Sequence, residues 1–129
     1  MAELKVASVI GIGIDVVEIE RFRTSLARTP TMRQRLFTPI ELEYVAAKVD
    51  PVPSLAARFA AREAVMKALG LGLGAFGFHD VWVERAESGA PSLAFDGRAQ
   101  ELSDAAGVAR WHVSLTHSDL VAVAYVVAE

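Results

Sequence analysis

Hydrophobic positions along the 129-residue chain follow two repeats, one of helical spacing and one alternating. The apolar residues of 54–69 recur at helical spacing, which predicts a long helix with Ser54 as its N-cap and Gly70 just beyond its end. Residues 111–116 alternate strictly between apolar and polar, as half-buried strands do, and the almost wholly apolar residues 120–128 predict a final strand. The chain therefore combines one long helix with strands near its C-terminus.

Shorter elements are predicted on either side of the long helix. The apolar residues 6–14 are rich in Val, Ile and Gly and predict a buried strand. The sequence Thr38-Pro39-Ile40-Glu41 is a capping box with proline at the first helical position, which predicts a helix start. The other predicted elements are helices over 17–28, 31–36, 39–48 and 98–106 and strands over 81–86 and 92–95. Because helices come first and most strands later, we predict one α+β domain over residues 1–129, with a mainly antiparallel sheet and a long central helix.

Composition narrows the class of protein. The chain is 53% hydrophobic with a mean hydropathy of +0.33, so we expect part of its apolar surface to be buried between subunits. No apolar run reaches the length of a membrane span, and the first residues do not resemble a signal peptide. The absence of cysteine excludes disulfides and thiolate zinc sites, which favours a cytoplasmic location. A net charge of −3 argues against bulk nucleic-acid binding.

Positive charge is concentrated near the N-terminus despite the acidic total. Residues 21–40 contain no Asp or Glu and five arginines, namely Arg21, Arg23, Arg28, Arg33 and Arg35. Such a basic face suggests an acidic partner or a phosphate ligand. The alternative is an arginine face that is only solvated.

Three residues are candidates for chemistry. Glu63 and Lys67 are four apart on the predicted long helix and therefore lie on one of its faces, either as a surface ion pair or as part of a site. Asp15 follows the first predicted strand directly, where a rigidly held carboxylate suits a metal ion. The alternative for Asp15 is an N-cap of the next helix.

Glycines occur at two informative places. Gly11 and Gly13 within the first predicted strand would let another backbone or a ligand approach closely. After the long helix, glycines stand at positions 70, 72, 74 and 77. A dinucleotide-binding loop follows a strand and precedes a helix, so this order excludes that reading. A helix-to-strand link or flexible backbone beside a nucleotide are the two remaining options.

Two separated segments, residues 11–15 (Gly-Ile-Gly-Ile-Asp) and 59–67 (Phe-Ala-Ala-Arg-Glu-Ala-Val-Met-Lys), together resemble the paired signature of the phosphopantetheinyl transferases. The resemblance is to the short bacterial class, the holo-acyl-carrier-protein synthases. It extends to the preceding Arg58, to the turn at 89–91 and to the strand end at 114–117. The resemblance implies a single copy of the 4′-phosphopantetheinyl transferase fold.

The resemblance also implies a reaction. These enzymes transfer the 4′-phosphopantetheine arm of coenzyme A to a serine of acyl carrier protein in fatty acid synthesis, which releases adenosine 3′,5′-bisphosphate. Asp15 and Glu63 would hold Mg²⁺, which prefers carboxylate, phosphate and water oxygens. Lys67 would stabilise charge on the leaving phosphate. Either Glu63 or a metal-bound water would act as the base toward the serine.

Further residues receive roles from the same resemblance. Arg58, Gly70 and His117 would contact the coenzyme, while Arg21 and Arg28 would face the acidic carrier protein. Arg58 could instead only support the helix. His117 could instead be a polar turn residue without a ligand.

Two positions depart from the family's pattern. Arg62 stands where the family often has lysine, which keeps the charge but changes the geometry. Val17 stands where the larger transferases carry a third acid, so a water would have to complete the metal site.

The sequence leaves alternatives open for both the oligomeric state and the overall activity. The larger transferases contain two copies of the fold with the site between them, so this single copy implies self-association as a homotrimer. A monomer with a buried central strand is the alternative. Two rival functions are a non-catalytic trimeric module that binds acidic proteins and a magnesium-dependent hydrolase of another diphosphate.

Overall fold

A computed structural model describes residues 8–129, and these contain five strands and five helices. The strands are β1 Gly11–Glu18, β2 Val81–Arg85, β3 Pro91–Phe95, β4 Trp111–His117 and β5 Val121–Ala128. The helices are α1 Ile19–Arg28, α2 Met32–Leu36, α3 Pro39–Ala46, α4 Val52–Ala68 and α5 Gly97–Ala105. Within residues 8–129, no helix has both the length and the apolar character needed to cross a membrane.

The strands form two antiparallel sheets beside the long helix α4. One sheet has the order β1-β5-β4, so the last strand of the chain lies at its centre. The other is the hairpin of β2 and β3. Helix α4 packs against β1, β5 and β4, and it also contacts β2. The predicted α+β fold with an antiparallel sheet and a central helix is confirmed.

Close contact between α4 and β1 depends on small residues. A Cβ added to Gly11 would lie 1.8 Å from the carbonyl oxygen of Ala68, and one added to Gly13 would lie 1.8 Å from that of Ala64. The two alanines are buried on the face of α4 that meets the sheet. The predicted close approach at these glycines therefore occurs, and the approaching group is the backbone of α4.

The predicted end of helix α4 is correct, but its predicted start is not. At the C-terminus, Gly70 has a φ of +70°, and Leu71 N donates to Met66 O at 2.9 Å, which is a Schellman motif. At the N-terminus, the prediction of Ser54 as N-cap is wrong. The helix begins at Val52, whose N–H donates to Asp50 Oδ1 at 3.2 Å. The neighbouring prolines fit the first turn, where their missing N–H groups are not needed.

Strand β1 differs from its prediction in both position and burial. It begins at Gly11 and continues past Asp15 to Glu18, and residues 6 and 7 of the predicted strand lie outside the described part of the chain. Helix α1 consequently starts at Ile19, later than predicted. The strand is not buried on both faces, because α4 covers only its inner face. Ile12, Ile14 and Val16 on the opposite face are more than half exposed, at 55%, 53% and 57%.

The remaining short elements agree with their predictions. The capping box is formed, since Glu41 N donates to Thr38 Oγ1 at 3.4 Å and Thr38 N donates to Glu41 Oε1 at 3.1 Å. Helix α5 is capped by Asp96, which accepts from Gly97 N at 2.8 Å. Strand β4 alternates in burial as its sequence does.

The three-stranded sheet has an apolar face that points away from α4. We call it the outer sheet face, and it consists of Ile12, Ile14 and Val16 of β1 and Val123, Tyr125 and Val127 of β5. The register places these six residues directly opposite one another in pairs. In the single chain this face is open to solvent at several large side chains, which is unusual for a monomer.

Candidate active site

Helix α4 and strand β1 bring Asp15, Glu63 and Lys67 together. Lys67 Nζ donates to Asp15 Oδ1 and to the carbonyl oxygen of Ile14, both at 3.0 Å. Asp15 lies on the inner face of β1, between strand positions whose exposed side chains point outward. It lies within the strand, so the alternative of an N-cap is wrong, and the residue before α1 is Glu18.

Glu63 is buried rather than part of a surface ion pair. Only 9% of the residue is exposed, and the lysine one turn further along α4 is bonded to Asp15 instead. Burial raises the pKa of the Glu63 carboxyl, the negative charge of Asp15 raises it further, and Lys67 opposes both. Two carboxylates that repel one another in a partly dry site are a donor set that suits a divalent cation.

The donor set is also limited to these two acids. Within residues 8–129, no three His, Cys, Asp or Glu side chains are grouped so that they could hold a metal ion. Mg²⁺ fits two carboxylates well, because it keeps waters and substrate phosphate oxygens in its remaining positions. Val17 lines the same space, and its side chain supplies no oxygen.

An open cleft of about 430 Å³ lies over the two acids. Besides Asp15 and Glu63 it is lined by Arg21, Phe22, Ser25, Met32, Phe59 and Leu73, among others. Phe22 and Phe59 stack with ring centroids 5.4 Å apart. Glu18 also lines the cleft, which therefore presents three acidic side chains, one arginine and an apolar wall to whatever enters it.

The basic face extends from this cleft along α1. Arg21 and Ser25 both line the cleft, and Arg28 follows Arg21 by two helical turns, so it lies on the same side of α1. Arg23 does not belong to this face. Its guanidinium donates to both carboxylate oxygens of Asp50, at 2.9 and 2.8 Å.

Arg58 occupies the other side of α4. It is 1% exposed, and its Nη1 donates to Ser54 O at 3.1 Å, while Nε and Nη2 are buried and have no hydrogen-bond partner among residues 8–129. Burial is the main cause that lowers the pKa of Arg58. Its neighbours in a cavity of about 160 Å³ include Thr116 and His117. A buried guanidinium with two free N–H groups is costly unless an anion satisfies it, so helix support alone does not explain this arrangement.

The predicted site residues thus fall into two groups within one chain. Asp15 lies on β1 and His117 on β4, which are the two edge strands of the sheet, and α4 packs across the strands between them. We call the first group, Asp15, Glu63 and Lys67, the acidic half-site. We call the second, Arg58 and His117, the basic half-site. Asp15 and Glu63 line one cavity, and Arg58 and His117 line another.

Arg62 and Gly70 line neither of these two cavities. Arg62 is fully buried, donates through Nε to Phe78 O at 2.7 Å, and forms a two-point ion pair with Glu41. Glu41 therefore serves both as the capping-box acid of α3 and as the counterion of Arg62. Gly70 ends α4 with open space around it, three residues beyond Lys67.

Comparison with known proteins decides the family. The model of the 4′-phosphopantetheinyl transferase superfamily matches residues 11–126, which span both half-sites. The chain belongs to this family. Among its relatives, the holo-acyl-carrier-protein synthase of Streptomyces avermitilis is 50% identical over 123 residues, covering 95% of this chain and 98% of the relative.

Solved structures of the family share the fold. The holo-acyl-carrier-protein synthase of Neisseria meningitidis superposes with a TM-score of 0.86 at 31% identity, covering 95% of this chain and 99% of the other. The synthase of Bacillus anthracis, solved in complex with coenzyme A (3′,5′-ADP), superposes with a TM-score of 0.79 at 32% identity, covering 95% and 98%.

Proposed function

We propose that the protein is a magnesium-dependent holo-acyl-carrier-protein synthase. It transfers 4′-phosphopantetheine from coenzyme A to a serine of apo acyl carrier protein and releases adenosine 3′,5′-bisphosphate. The acceptor is the carrier protein of fatty acid synthesis, and the reaction takes place in the cytoplasm. The observation that supports this most directly is the meeting of Asp15, Glu63 and Lys67 beside an open cleft in a chain of this family.

Each member of the acidic half-site has a role in this reaction. When bound by Asp15 and Glu63, Mg²⁺ would offset the negative charge of the pyrophosphate. Glu63 lines the cleft that the serine would enter, and it accepts the proton of the serine hydroxyl. Lys67 leaves Asp15 and donates to the phosphate that becomes the leaving group. Its side chain is 53% exposed, so this change of partner requires little rearrangement.

The basic half-site binds the other anionic group of coenzyme A. The pyrophosphate reacts at the acidic half-site, so the phosphomonoester at the ribose 3′ position is the remaining anion. Arg58 offers it Nε and Nη2, both buried and free, and His117 lies in the same cavity. A guanidinium edge with two parallel N–H groups matches phosphate geometry.

The complete site lies between two subunits of a homotrimer. One coenzyme molecule needs both half-sites, and within a chain Asp15 and His117 lie on the two opposite edge strands of the sheet. The outer sheet face offers an apolar surface for a second copy of the chain. In a closed ring, each contact then joins the acidic half-site of one subunit to the basic half-site of its neighbour.

A single assay tests the reaction. Purified protein is mixed with coenzyme A, Mg²⁺ and apo carrier protein, and the carrier is read by intact mass. We expect a phosphopantetheine adduct on the carrier serine. Cleavage of coenzyme A without an adduct would indicate the diphosphate hydrolase, and carrier binding without either product would indicate a binding module.

A mixing experiment tests the shared site. Asp15→Asn damages only the acidic half-site and His117→Glu only the basic one, so each variant alone should be inactive. After the two are dissociated and reassembled at equal ratio, about one quarter of the sites should combine two intact halves. If each site instead lay within one subunit, every site would carry one of the two changes and no activity would return. A monomeric mass in solution would also contradict the trimer.

A further inference from the structure

The ring of Tyr44 on α3 is surrounded by three positive side chains. The guanidinium carbon of Arg58 lies 4.5 Å from the ring centroid, Lys48 Nζ 5.2 Å and the guanidinium carbon of Arg85 5.7 Å. All three distances are within the range of cation–π attraction. Tyr44 itself is 42% exposed, whereas Arg58 beneath it is almost completely buried. Three cations around one accessible ring require an explanation.

Acidic residues do not supply that explanation. Within the described chain, none of these three cations forms a salt bridge. The acid whose charge acts on Arg58 is Glu41, but its carboxylate is already bonded to Arg62 and to Val83 N. In the part of the chain that the structure describes, Arg85 donates only to the carbonyl oxygen of Gly89, at 2.6 Å.

Mutual repulsion is therefore built into the group. Burial lowers the pKa of Arg58 most strongly and the charge of Arg85 lowers it further, while Glu41 and Tyr44 oppose both effects. The ring of Tyr44 is the group that all three cations share. Its negative face attracts each of them without neutralising any, so their charge remains available to a ligand.

We propose that Tyr44 is a positioning residue of the basic half-site, which holds Arg58, Lys48 and Arg85 together before a phosphomonoester binds. This role rests on the proposed function, because the phosphomonoester is the 3′-phosphate of coenzyme A. The Arg58 guanidinium packs against the ring, and its unpaired Nε and Nη2 are left for the anion. Holding the cations in place in advance reduces the ordering cost of binding.

The proposal predicts a ligand-selective effect. Adenosine 3′,5′-bisphosphate carries the phosphomonoester and adenosine 5′-phosphate lacks it, while the two are otherwise alike. Replacing the ring should weaken the binding of adenosine 3′,5′-bisphosphate only. A general loosening of α3 would weaken the binding of both nucleotides and lower the thermal stability of the protein.

The experiment measures binding of both nucleotides by calorimetry to the assembled wild type, Tyr44→Leu and Tyr44→Phe. We expect Tyr44→Leu to weaken adenosine 3′,5′-bisphosphate roughly five- to twentyfold, the size expected from losing one or two cation–π contacts. Adenosine 5′-phosphate should change less than twofold. Tyr44→Phe keeps the ring and should bind like wild type. Tyr44→Met, of similar length, replaces the leucine variant if that one does not fold.

In steady-state transfer, Tyr44→Leu should raise the KM for coenzyme A and leave that for 3′-dephospho-coenzyme A unchanged, whereas Tyr44→Phe should leave both KM values close to those of wild type. Equal losses for both nucleotides, or no loss with Tyr44→Leu, would overturn the role of Tyr44 while leaving the transferase proposal intact. A wild type that binds adenosine 3′,5′-bisphosphate selectively but transfers nothing would refute the transferase alone. If the wild-type protein binds the two nucleotides equally, both the phosphate-binding role of the basic half-site and the positioning role of Tyr44 are refuted.

Discussion

Lys67 Nζ donates to Asp15 Oδ1 and to Ile14 O, both at 3.0 Å. The lysine therefore binds one of the two carboxylates that would hold the metal ion. In this position the lysine partly neutralises the acidic half-site. A divalent cation and Lys67 then compete for the same carboxylate. The ion pair is half exposed on the lysine side, so it contributes little stability and breaks readily.

We therefore expect Lys67→Met to bind Mg²⁺ more tightly in the absence of coenzyme A and yet to transfer more slowly. Without the lysine, Asp15 loses the positive charge that is bonded to it, which favours the divalent cation. Loss of charge stabilisation on the leaving phosphate should lower kcat by about 10²- to 10³-fold. Calorimetry with Mg²⁺ and single-turnover kinetics measure the two effects separately. Lys67→Arg keeps the charge, and it should leave the Mg²⁺ affinity close to that of wild type.

A second prediction concerns Glu63 and the stability of the ligand-free protein. The pKa of Glu63 is raised in the folded state by burial and by Asp15, so the folded protein binds its proton more tightly than the unfolded chain does. Its contribution to stability is therefore present below the unfolded pKa and is lost as pH rises through the folded pKa. At neutral pH the charged Glu63 destabilises the fold.

Glu63→Gln should consequently unfold at a higher temperature than wild type at pH 7, with a free energy of unfolding about 0.5–2 kcal/mol higher. The same variant should lose transfer activity. The difference should shrink as the pH is lowered toward the ordinary glutamate range. Calorimetric melting at several pH values measures it. A glutamine variant less stable than wild type at neutral pH would contradict the raised pKa.

A third prediction tests the contact that places Asp15. Gly13→Ala should destabilise the protein by more than about 3 kcal/mol or displace β1 from α4, because the new Cβ would meet the backbone carbonyl of Ala64. Gly72→Ala is the matched control, since a Cβ there meets nothing within 4 Å and the residue has no positive φ. That change should be neutral or slightly stabilising. Chemical denaturation of both variants gives the comparison, and equal stabilities would refute the close approach.

Features set by neighbouring residues could be predicted from the sequence. The capping box at Thr38, the glycine end of α4 and the alternation of β4 each depend on a few adjacent side chains, and all three are present. The start of α4 was missed because Asp50, outside the predicted helix, satisfies the first N–H group.

Features set by distant parts of the chain could not be predicted in the same way. The exposure of Ile12, Ile14 and Val16 depends on whether a second layer covers the sheet, and apolar residues alone do not say whether that layer is another helix or another chain. The division into two half-sites follows from the strand order β1-β5-β4, which separates Asp15 from His117. The partner of Arg62 lies 21 residues away, and no local pattern indicates it.

The basic face of α1 gives the last prediction, that Arg21→Glu raises the KM for carrier protein far more than the KM for coenzyme A. Arg21 lines the cleft beside Asp15 without bonding to it, and Arg28 continues the same side of the helix. A carboxylate of the acidic carrier would meet Arg21 at a partly wet rim, where charges act mainly on the association rate. Reversal adds repulsion to lost attraction, so a penalty of about 1–3 kcal/mol is expected for a close pair.

Salt and a matched control separate this docking role of Arg21 from its alternatives. The defect should shrink at high ionic strength, because wild type then loses its own attraction for the carrier. Arg98→Glu makes the same charge change on α5, where Arg98 pairs only with Glu101 at the surface, and it should leave both KM values unchanged. An arginine that is merely solvated predicts no change for Arg21→Glu either. An arginine that binds coenzyme phosphate predicts the reverse pattern, with the coenzyme KM rising most. Steady-state kinetics with each substrate varied at two salt concentrations distinguish the three, and an unchanged carrier KM at low salt would exclude Arg21 from docking.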